Sequence, residues 1–231
     1  MAANILFLRL EGPLQSWGER ARWSIRDTAS EPTKSGIVGL LACALGLSAD
    51  DDLQTLSRSI RIGIRCDRAG SVLRDYHTVV GGVMSAEGKI KINANTKEPE
   101  TVVSERFYLA DASFLVAVQA EPQLVARLRI ALQDPTWPFF LGRKSCPPAT
   151  PVFDGDGSFP SLEAALKAIP VQLRNPDGSK EIHLRAVLEC KPDDKDTARR
   201  KDEIDSRMRR TFHPRYVRER LLTVPVQQEV A

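Results

Sequence analysis

Residues 139–148 read FFLGRKSCPP, an apolar run that turns abruptly into a basic loop braced by two prolines. Gly142 allows a positive φ or a close approach of the backbone to another group, and the prolines prevent a helix from starting. Arg143, Lys144 and the Ser145 hydroxyl are groups that hold phosphate oxygens. The stretch is not a P-loop, because Arg143 stands where that motif needs Gly directly before Lys-Ser. A phosphate-binding loop and a solvated surface turn both stay open as interpretations.

The chain before this loop alternates between strands and helices. Apolar runs and helical spacing predict a strand over 4–10, a helix that opens within 32–36 and runs to about 45, a strand over 60–66, a strand over 113–118 and a helix from 121 to 134. The strand over 60–66 alternates cleanly, which predicts a half-buried strand with a basic outer face. The basic loop then follows the second helix.

Two extended runs, 73–80 and 101–109, flank a segment rich in Gly, Asn and Lys. They predict a protruding hairpin, or thumb, inserted at about 73–110. With this insertion the element order is βαββαβ, so the fold class is α+β and ferredoxin-like (RRM-like). RNA-recognition domains use that fold, as do many proteins with unrelated functions.

The start of the first helix is a second candidate anion site. Thr33 or Ser35 is the expected N-cap, and Lys34 beside a helix N-terminus favours an anion, although simple capping explains the pattern equally well. One side of this helix carries only small residues, which would let another backbone come close: Gly36, Gly39, Ala42 and Cys43. Upstream, Trp17 and Trp23 would either stack on bases or pack in the core.

A turn-rich junction at 152–157 suggests a boundary between a ferredoxin-like region, 1–153, and a small β-rich region, 154–231. Within the second region the pattern predicts a short helix over 161–168 and a strand over 182–190. The C-terminal region therefore adds at least one strand to the α+β architecture.

The charged segment that follows is predicted to be partly flexible. Residues 191–206 read as a charged, proline-containing loop. Residues 199–220 carry nine Arg or Lys against four acids, with Phe212, His213 and Tyr216 interleaved. This pattern indicates a nucleic-acid or partner-binding face, and a solvated charge run is the alternative.

The amino-acid composition limits the kinds of site and partner that the chain can have. The chain has 231 residues, 42% hydrophobic and 27% charged, with a formal net charge of +3, so a nucleic-acid surface would have to come from local clustering. Four widely spaced cysteines form no CxxC pair, which argues against a zinc site and a disulfide framework, and no cofactor is expected. No secretory or membrane-spanning pattern occurs, so we expect a cytoplasmic protein without membrane contact.

Six motifs in a fixed order carry a resemblance to a known family. They are LRLEGPLQSWG at 8–18, PTKSGIVGLLACALG at 32–46, IRCD at 64–67, LRDYHTVVGG at 73–82, ERFYLADASF at 105–114 and FLGRKSCPPA at 140–149. Together they resemble the CasD subunit family of the type I-E CRISPR Cascade complex, within the repeat-associated RNA-binding superfamily. The segment RTFHPRYVRERLLTVP at 210–225 matches this family loosely.

The resemblance implies a non-catalytic crRNA-binding subunit for defence against foreign DNA. It would grip the 5′ handle of the crRNA, cap the filament of CasC backbone subunits and help to place the large CasA subunit, meeting target DNA only indirectly. The thumb would lie over the crRNA, with Lys89, Lys91 and Lys97 facing RNA or a neighbouring subunit. The expected RNA-binding residues are Gln15, Trp17, Arg26, Thr33, Lys34, Ser35, His77, Arg106, Tyr108, Gly142, Arg143, Lys144 and Ser145.

The alternative is a metal-independent endoribonuclease that processes CRISPR repeat RNA, as type I-C relatives do. Such an enzyme needs a general base, a general acid and a cation for the developing charge. His77 is the best base, with Tyr76 beside it and Lys144 as the cation. A hydrogen-bonded structural role explains His77 more simply.

Overall fold

The computed structural model describes residues 2–19, 24–82, 84–85, 87–173, 178–206, 208–209 and 211–227. The strands are β1 (Ile5–Glu11), β2 (Leu14–Gln15), β3 (Ile25–Arg26), β4 (Arg61–Arg68), β5 (Ser71–Val79), β6 (Val102–Ala110), β7 (Ser113–Gln119), β8 (Phe153–Gly157), β9 (Glu181–Cys190), β10 (Ala198–Ser206) and β11 (Thr211–Pro225). The helices are α1 (Lys34–Leu45), α2 (Asp50–Ser59), α3 (Pro122–Gln133) and α4 (Leu162–Ala168).

Seven strands form one antiparallel sheet in the order β10-β11-β9-β4-β7-β1-β8. Alternate residues of β1 face opposite sides. Leu6 and Leu8 belong to a core shared with α1, α2 and α3, whereas Ile5 and Phe7 belong to a second core shared with α4. Helices therefore cover both faces of this sheet.

The chain caps α1 with side-chain and glycine signals at its two ends. The Thr33 hydroxyl accepts a hydrogen bond from the Gly36 N–H at 3.2 Å, which satisfies one of the unpaired donors of the first turn. Gly46 ends the helix with φ of 71°, a left-handed conformation that costs glycine little. The helix begins within the predicted opening segment 32–36 and ends at Leu45, as predicted.

A smaller four-stranded sheet carries the thumb. β5 and β6 pair antiparallel along their full length, from Ser71 opposite Ala110 to Val79 opposite Val102. The other side of β6 pairs with β2 and β3. The two extended runs that the sequence indicated do form a hairpin.

The predicted basic outer face of β4 is wrong at its centre. Arg65 is fully buried, because α4 covers this face of the sheet. Its guanidinium donates to the carbonyl oxygens of Leu166 and Ile169 at the end of α4 and pairs with Asp67. Arg65 thus satisfies helix-terminal carbonyls that would otherwise lack donors.

The predicted flexible loop over 191–206 is also wrong in its second half. β10 occupies residues 198–206 and pairs with β11. Strands from both sides of residue 153 share the seven-stranded sheet, and the division into regions 1–153 and 154–231 stays a prediction. No helix among the described residues is long and apolar enough to cross a membrane.

Candidate nucleic-acid interface

The glycine loop packs closely against the segment after β2. Gly142 has φ of 93°, and a Cβ there would overlap the Ser16 carbonyl oxygen. The Ser16 N–H donates to the Leu141 carbonyl at 3.0 Å. Glycine is required here because backbone meets backbone, and the close approach is to the chain's own Ser16.

Arg143 joins the glycine loop to β3 and β6, so its guanidinium is already engaged within the fold. Its guanidinium donates to the carbonyl oxygens of Phe107 at 3.2 Å, Arg26 at 2.8 Å and Asp27 at 3.2 Å. It also lies 4.7 Å above the ring of Tyr108, a cation–π contact. Tyr108 is buried beneath it, so its ring is not available to stack on a base.

Other predicted residues of this region do reach the surface. Arg26, Lys144 and Ser145 are exposed. Arg106 is half-buried and donates to the Ser104 hydroxyl at 3.3 Å. Since Arg143 bonds to β3 and to β6, these groups are brought to one region from three distant stretches of sequence.

Lys34 turns inward, which corrects its assignment to RNA. Its side chain is 2% exposed, and its ammonium pairs with Glu189 at 2.9 Å and Glu203 at 3.1 Å. The Lys34 N–H donates to a carboxylate oxygen of Asp202 at 2.9 Å, and Arg215 holds the same carboxylate with two hydrogen bonds. The helix N-terminus does meet an anion, but that anion belongs to β10 of this chain.

Burial and ion pairing oppose each other at the carboxylates of this cluster. Burial disfavours the charged form of Asp202, but the hydrogen bonds and charge of Arg215 outweigh it and lower the pKa of Asp202. Burial likewise opposes ionisation of Glu31, and contacts with Arg185 and Arg200 lower the pKa of Glu31. Both carboxyl groups are therefore ionised at neutral pH.

The basic segment over 199–220 has fewer cations available for binding RNA or a partner than its sequence suggested. Arg200 pairs with Glu31, and Arg215 pairs with Asp202. Arg199 and Lys201 are exposed. Two further cations of the segment, Arg207 and Arg210, lie outside the described residues, as does Trp23.

Gln15, Trp17 and Thr33 are structural residues, which corrects their assignment to RNA contacts. The Trp17 side chain is 1% exposed, and its indole N–H donates to the Gln15 side-chain oxygen at 3.0 Å. The Gln15 amide in turn donates to the carbonyls of Leu10 and Ala112. Thr33 is the N-cap of α1, and Ser35 beside it is half-buried.

A groove of about 870 Å³ runs along the small-residue side of α1. Gly36 and Gly39 form part of its wall, and Trp137 and Phe212 face it from other elements. Among the described lining residues Glu19 is the one charged side chain, so the groove suits an uncharged group. The small residues of α1 are visible in its sequence, but no local pattern connects Trp137 and Phe212 to α1.

Two of the nuclease candidates, His77 and Tyr76, lie on opposite faces of β5. The Nδ1 atom of His77 lies 3.6 Å from a carboxylate oxygen of Asp75, on the same face of β5. Tyr76 is exposed on the opposite face, because neighbouring side chains of a strand alternate. Within the described part of the chain, no cluster of His, Cys, Asp and Glu could hold a metal ion.

Comparison with known proteins places this architecture in a family. Residues 5–225 match the family described as CRISPR-associated protein (Cas_Cas5). The Escherichia coli (strain K12) protein named CRISPR system Cascade subunit CasD is 41% identical over 165 residues, which cover 66% of this chain and 70% of the relative.

Two solved structures are similar over nearly the whole chain. A chain of a CRISPR RNA-guided surveillance complex has a TM-score of 0.79 and 28% identity, covering 96% of this chain and 91% of that one. A crystal structure of a Cas protein has a TM-score of 0.69 and 35% identity, covering 96% and 98%. The resemblance read from the six motifs is confirmed: the chain belongs to the CRISPR-associated Cas5 family and, within it, to the CasD family of type I-E Cascade.

Proposed function

We propose that the chain is a non-catalytic crRNA-binding subunit of a type I-E CRISPR surveillance complex. It grips the 5′ handle of the crRNA, caps the filament of CasC backbone subunits and helps to place the CasA subunit. The observation that carries this proposal is the convergence at Arg143. Its guanidinium joins the glycine loop, β3 and β6, and so brings exposed Arg26 and Lys144 beside a groove free of described cations.

The chemistry of this region fits single-stranded RNA. Arg26, Arg106 and Lys144 offer cations to backbone phosphates, and the Ser145 hydroxyl offers a donor. The neighbouring groove can receive a splayed base, since it is uncharged apart from Glu19 and carries the Trp137 ring. Phosphates on a basic rim and a base in an apolar groove are how proteins recognise unpaired RNA.

We propose further that the core is ferredoxin-like. The central strands follow the order β4-β7-β1-β8, all antiparallel, with α1 after β1 and α3 after β7. The thumb is inserted between β4 and β7, and β9 to β11 extend the sheet beyond β4. This arrangement supports one ferredoxin-like unit with a thumb and a β-rich C-terminal extension.

Lys144→Ala tests the RNA site, because Lys144 is exposed and its ammonium has no structural role comparable with that of Arg143. We expect handle-RNA affinity to fall several-fold at low salt, and the slope of log K against log salt to become shallower by about 0.7. Fluorescence anisotropy of labelled handle RNA at several salt concentrations measures both. The control is Lys167→Ala on α4, which packs on the other face of the large sheet. An unchanged slope for Lys144→Ala would remove this residue from the site.

The complex-level role is tested by co-expression with the genomic neighbours and a cognate repeat-spacer RNA. We expect intact crRNA to co-purify, with its 5′ handle protected from cleavage reagents only when this chain is present. Repeat RNA cut by this chain alone, with activity lost in His77→Ala, would contradict the non-catalytic role and establish the endoribonuclease instead.

A further inference from the structure

The thumb concentrates the exposed apolar surface of the molecule. Of the fourteen large hydrophobic side chains that are exposed in the described structure, nine lie between residues 71 and 110. The same 71–110 segment carries five basic and five acidic residues, so its formal net charge is zero. Binding to phosphates needs a cationic excess, whereas contiguous exposed apolar surface marks protein-binding sites. The thumb as a whole is therefore suited to a protein partner.

The outer edge of β5 has no strand partner among the described residues. β5 pairs with β6 alone, and β2 and β3 occupy the other side of β6. An edge of nine residues with exposed apolar side chains is unusual, because proteins commonly protect such edges with prolines, bulges or inward charges. β5 contains no proline.

Two contacts of β6 reveal which residues of β5 direct their backbone N–H and C=O groups toward this open edge. The Glu105 N–H donates to the Ser24 carbonyl at 2.7 Å, on the β3 side of β6. The Phe107 carbonyl accepts from Arg143, also on the side away from β5. In an antiparallel pair both backbone groups of a residue point to the same side, so Glu105 does not bond to its partner Tyr76. The N–H and C=O of Tyr76 consequently point outward.

The backbone groups alternate in the same way along the whole of β5. Val72, Arg74, Tyr76 and Thr78 direct their N–H and C=O groups to the open edge, and their side chains share one face. On that face Val72 is 68% exposed and Tyr76 is 65% exposed, while the Arg74 guanidinium is paired with Glu105 across the strands. The edge thus offers unpaired backbone groups beside an apolar, electrically neutral surface.

We propose that the open edge of β5 binds an extended segment of a neighbouring protein subunit by β-strand addition. The backbone groups of the even-numbered residues, 72 to 78, supply the hydrogen bonds. Val72 and Tyr76 select β-branched or aromatic side chains at alternate positions of the incoming strand. This inference rests on the proposed function, since the neighbouring subunit is one that shares the crRNA complex.

Hydrogen exchange tests the proposal because strand addition should protect the even-numbered amides of β5 and leave the odd-numbered ones almost unchanged. In the isolated chain the amides of Asp75 and His77, which face β6, should exchange slowly, while those of Arg74, Tyr76 and Thr78 should exchange fast. On assembly of the complete complex we expect the second group to slow at least about tenfold, with little change in the first. Slowing of the even-numbered amides by crRNA alone, or no slowing in the complete complex, would overturn the inference. Failure of the wild-type chain to co-purify with its neighbours would instead refute the proposed function.

A backbone-directed variant provides the second measurement. Thr78→Pro removes one outward N–H while leaving the ladder with β6 intact, as prolines on edge strands do. Thr78→Val keeps that N–H and is the matched control. We expect the proline variant to bind handle RNA normally but to enter the complex at least about fivefold less efficiently than the valine variant. Equal incorporation of the two variants would overturn the inference.

A photocrosslinking phenylalanine analogue at position 76 identifies the occupant. A crosslink to a peptide of another subunit supports strand addition by a neighbour. A crosslink to RNA, or to a second copy of this chain, overturns it. Because the analogue replaces an exposed side chain, it leaves the backbone groups of β5 unchanged.

Discussion

We expect Arg143 to stabilise the fold more than it binds RNA, and Arg143→Ala tests this directly. The substitution removes three hydrogen bonds, at 3.2, 2.8 and 3.2 Å, and the contact with Tyr108 at 4.7 Å. A hydrogen bond from a charged group contributes about 1.5–3 kcal/mol when buried, and an exposed cation–π contact about 0.5–1 kcal/mol. Arg143 is only half-buried and water can replace it at the carbonyls, so we expect a net loss of about 2–4 kcal/mol.

Urea denaturation measures this loss as a lower free energy of unfolding, extrapolated to water. The matched control is the adjacent exposed residue: Lys144→Ala should change the unfolding free energy by less than about 0.5 kcal/mol. A double-mutant cycle with Tyr108→Leu isolates the cation–π contact, with an expected coupling of about 0.5–1 kcal/mol. The two neighbouring cations are thereby separated into a structural and a binding residue.

One result would refute this reasoning. If Arg143→Ala left the unfolding free energy unchanged and weakened handle-RNA binding as much as Lys144→Ala, its guanidinium would be reaching RNA in solution. The carbonyls of Arg26 and Asp27 would then be satisfied by water. Arg143→Lys adds a second readout, since it keeps the charge but cannot span the carbonyls as the guanidinium fork does.

Two further predictions concern stability. Because the folded-state pKa values of Asp202 and Glu31 lie below their ordinary values of 3.8 and 4.5, the stabilisation they give is complete above about pH 5 and lost as pH falls further. Urea denaturation midpoints should fall as the pH is lowered below about 5. Asp202→Asn should flatten this pH dependence and cost about 3 kcal/mol at neutral pH, because Arg215 loses the carboxylate with which it shares two hydrogen bonds. Gly142→Ala should cost about 3 kcal/mol or more because its Cβ meets the Ser16 carbonyl, whereas Gly81→Ala, with a positive φ but open surroundings, should cost about 1 kcal/mol. Equal losses for the two glycines would refute the overlap.

Local periodicity was enough to predict the elements whose burial depends on a single neighbouring layer. The apolar spacing of α1 and the two extended runs of the thumb gave correct types and nearly correct bounds. β4 shows where this reasoning stops. Its alternation marked Arg65 as an outward residue, but α4, about a hundred residues later, covers that face. A sequence pattern shows that two faces differ and does not show what lies against the polar one.

β10 was missed for a related reason. Its sequence, ARRKDEIDS, has no alternating apolar signal, so it reads as a loop. Its burial comes from Ile204 and from the carboxylate of Asp202, which Arg215 neutralises from the neighbouring strand. A charged strand of this kind is stable only when its partners are in place, and those partners are distant in sequence.

At the candidate site the sequence named segments but could not show the direction of their side chains, and RNA binding by these segments stays a prediction. The glycine loop and β3 are adjacent, yet Lys34 and Arg143 use their charge within the fold. The two roles draw on the same chemistry, because carboxylate, carbonyl and phosphate oxygens all attract these donors. Only burial distinguishes a cation that bonds within the fold from one that can bind RNA, and burial depends on how the whole chain packs.

This inward use of cations limits how the chain can hold RNA by itself. With Arg26, Arg106 and Lys144 as the accessible cations among the described residues of this region, these three contacts should give single-stranded RNA binding a slope of log K against log salt of about −2. An electrostatic grip of that size is weak at physiological salt, so recognition must draw on the groove and on neighbouring subunits. The neutral, apolar thumb is suited to contacts with neighbouring subunits. Apolar contacts with protein, unlike contacts with phosphate, persist as the salt concentration rises. A steep salt dependence of the isolated chain would show instead that the basic segment over 199–220 reaches the RNA.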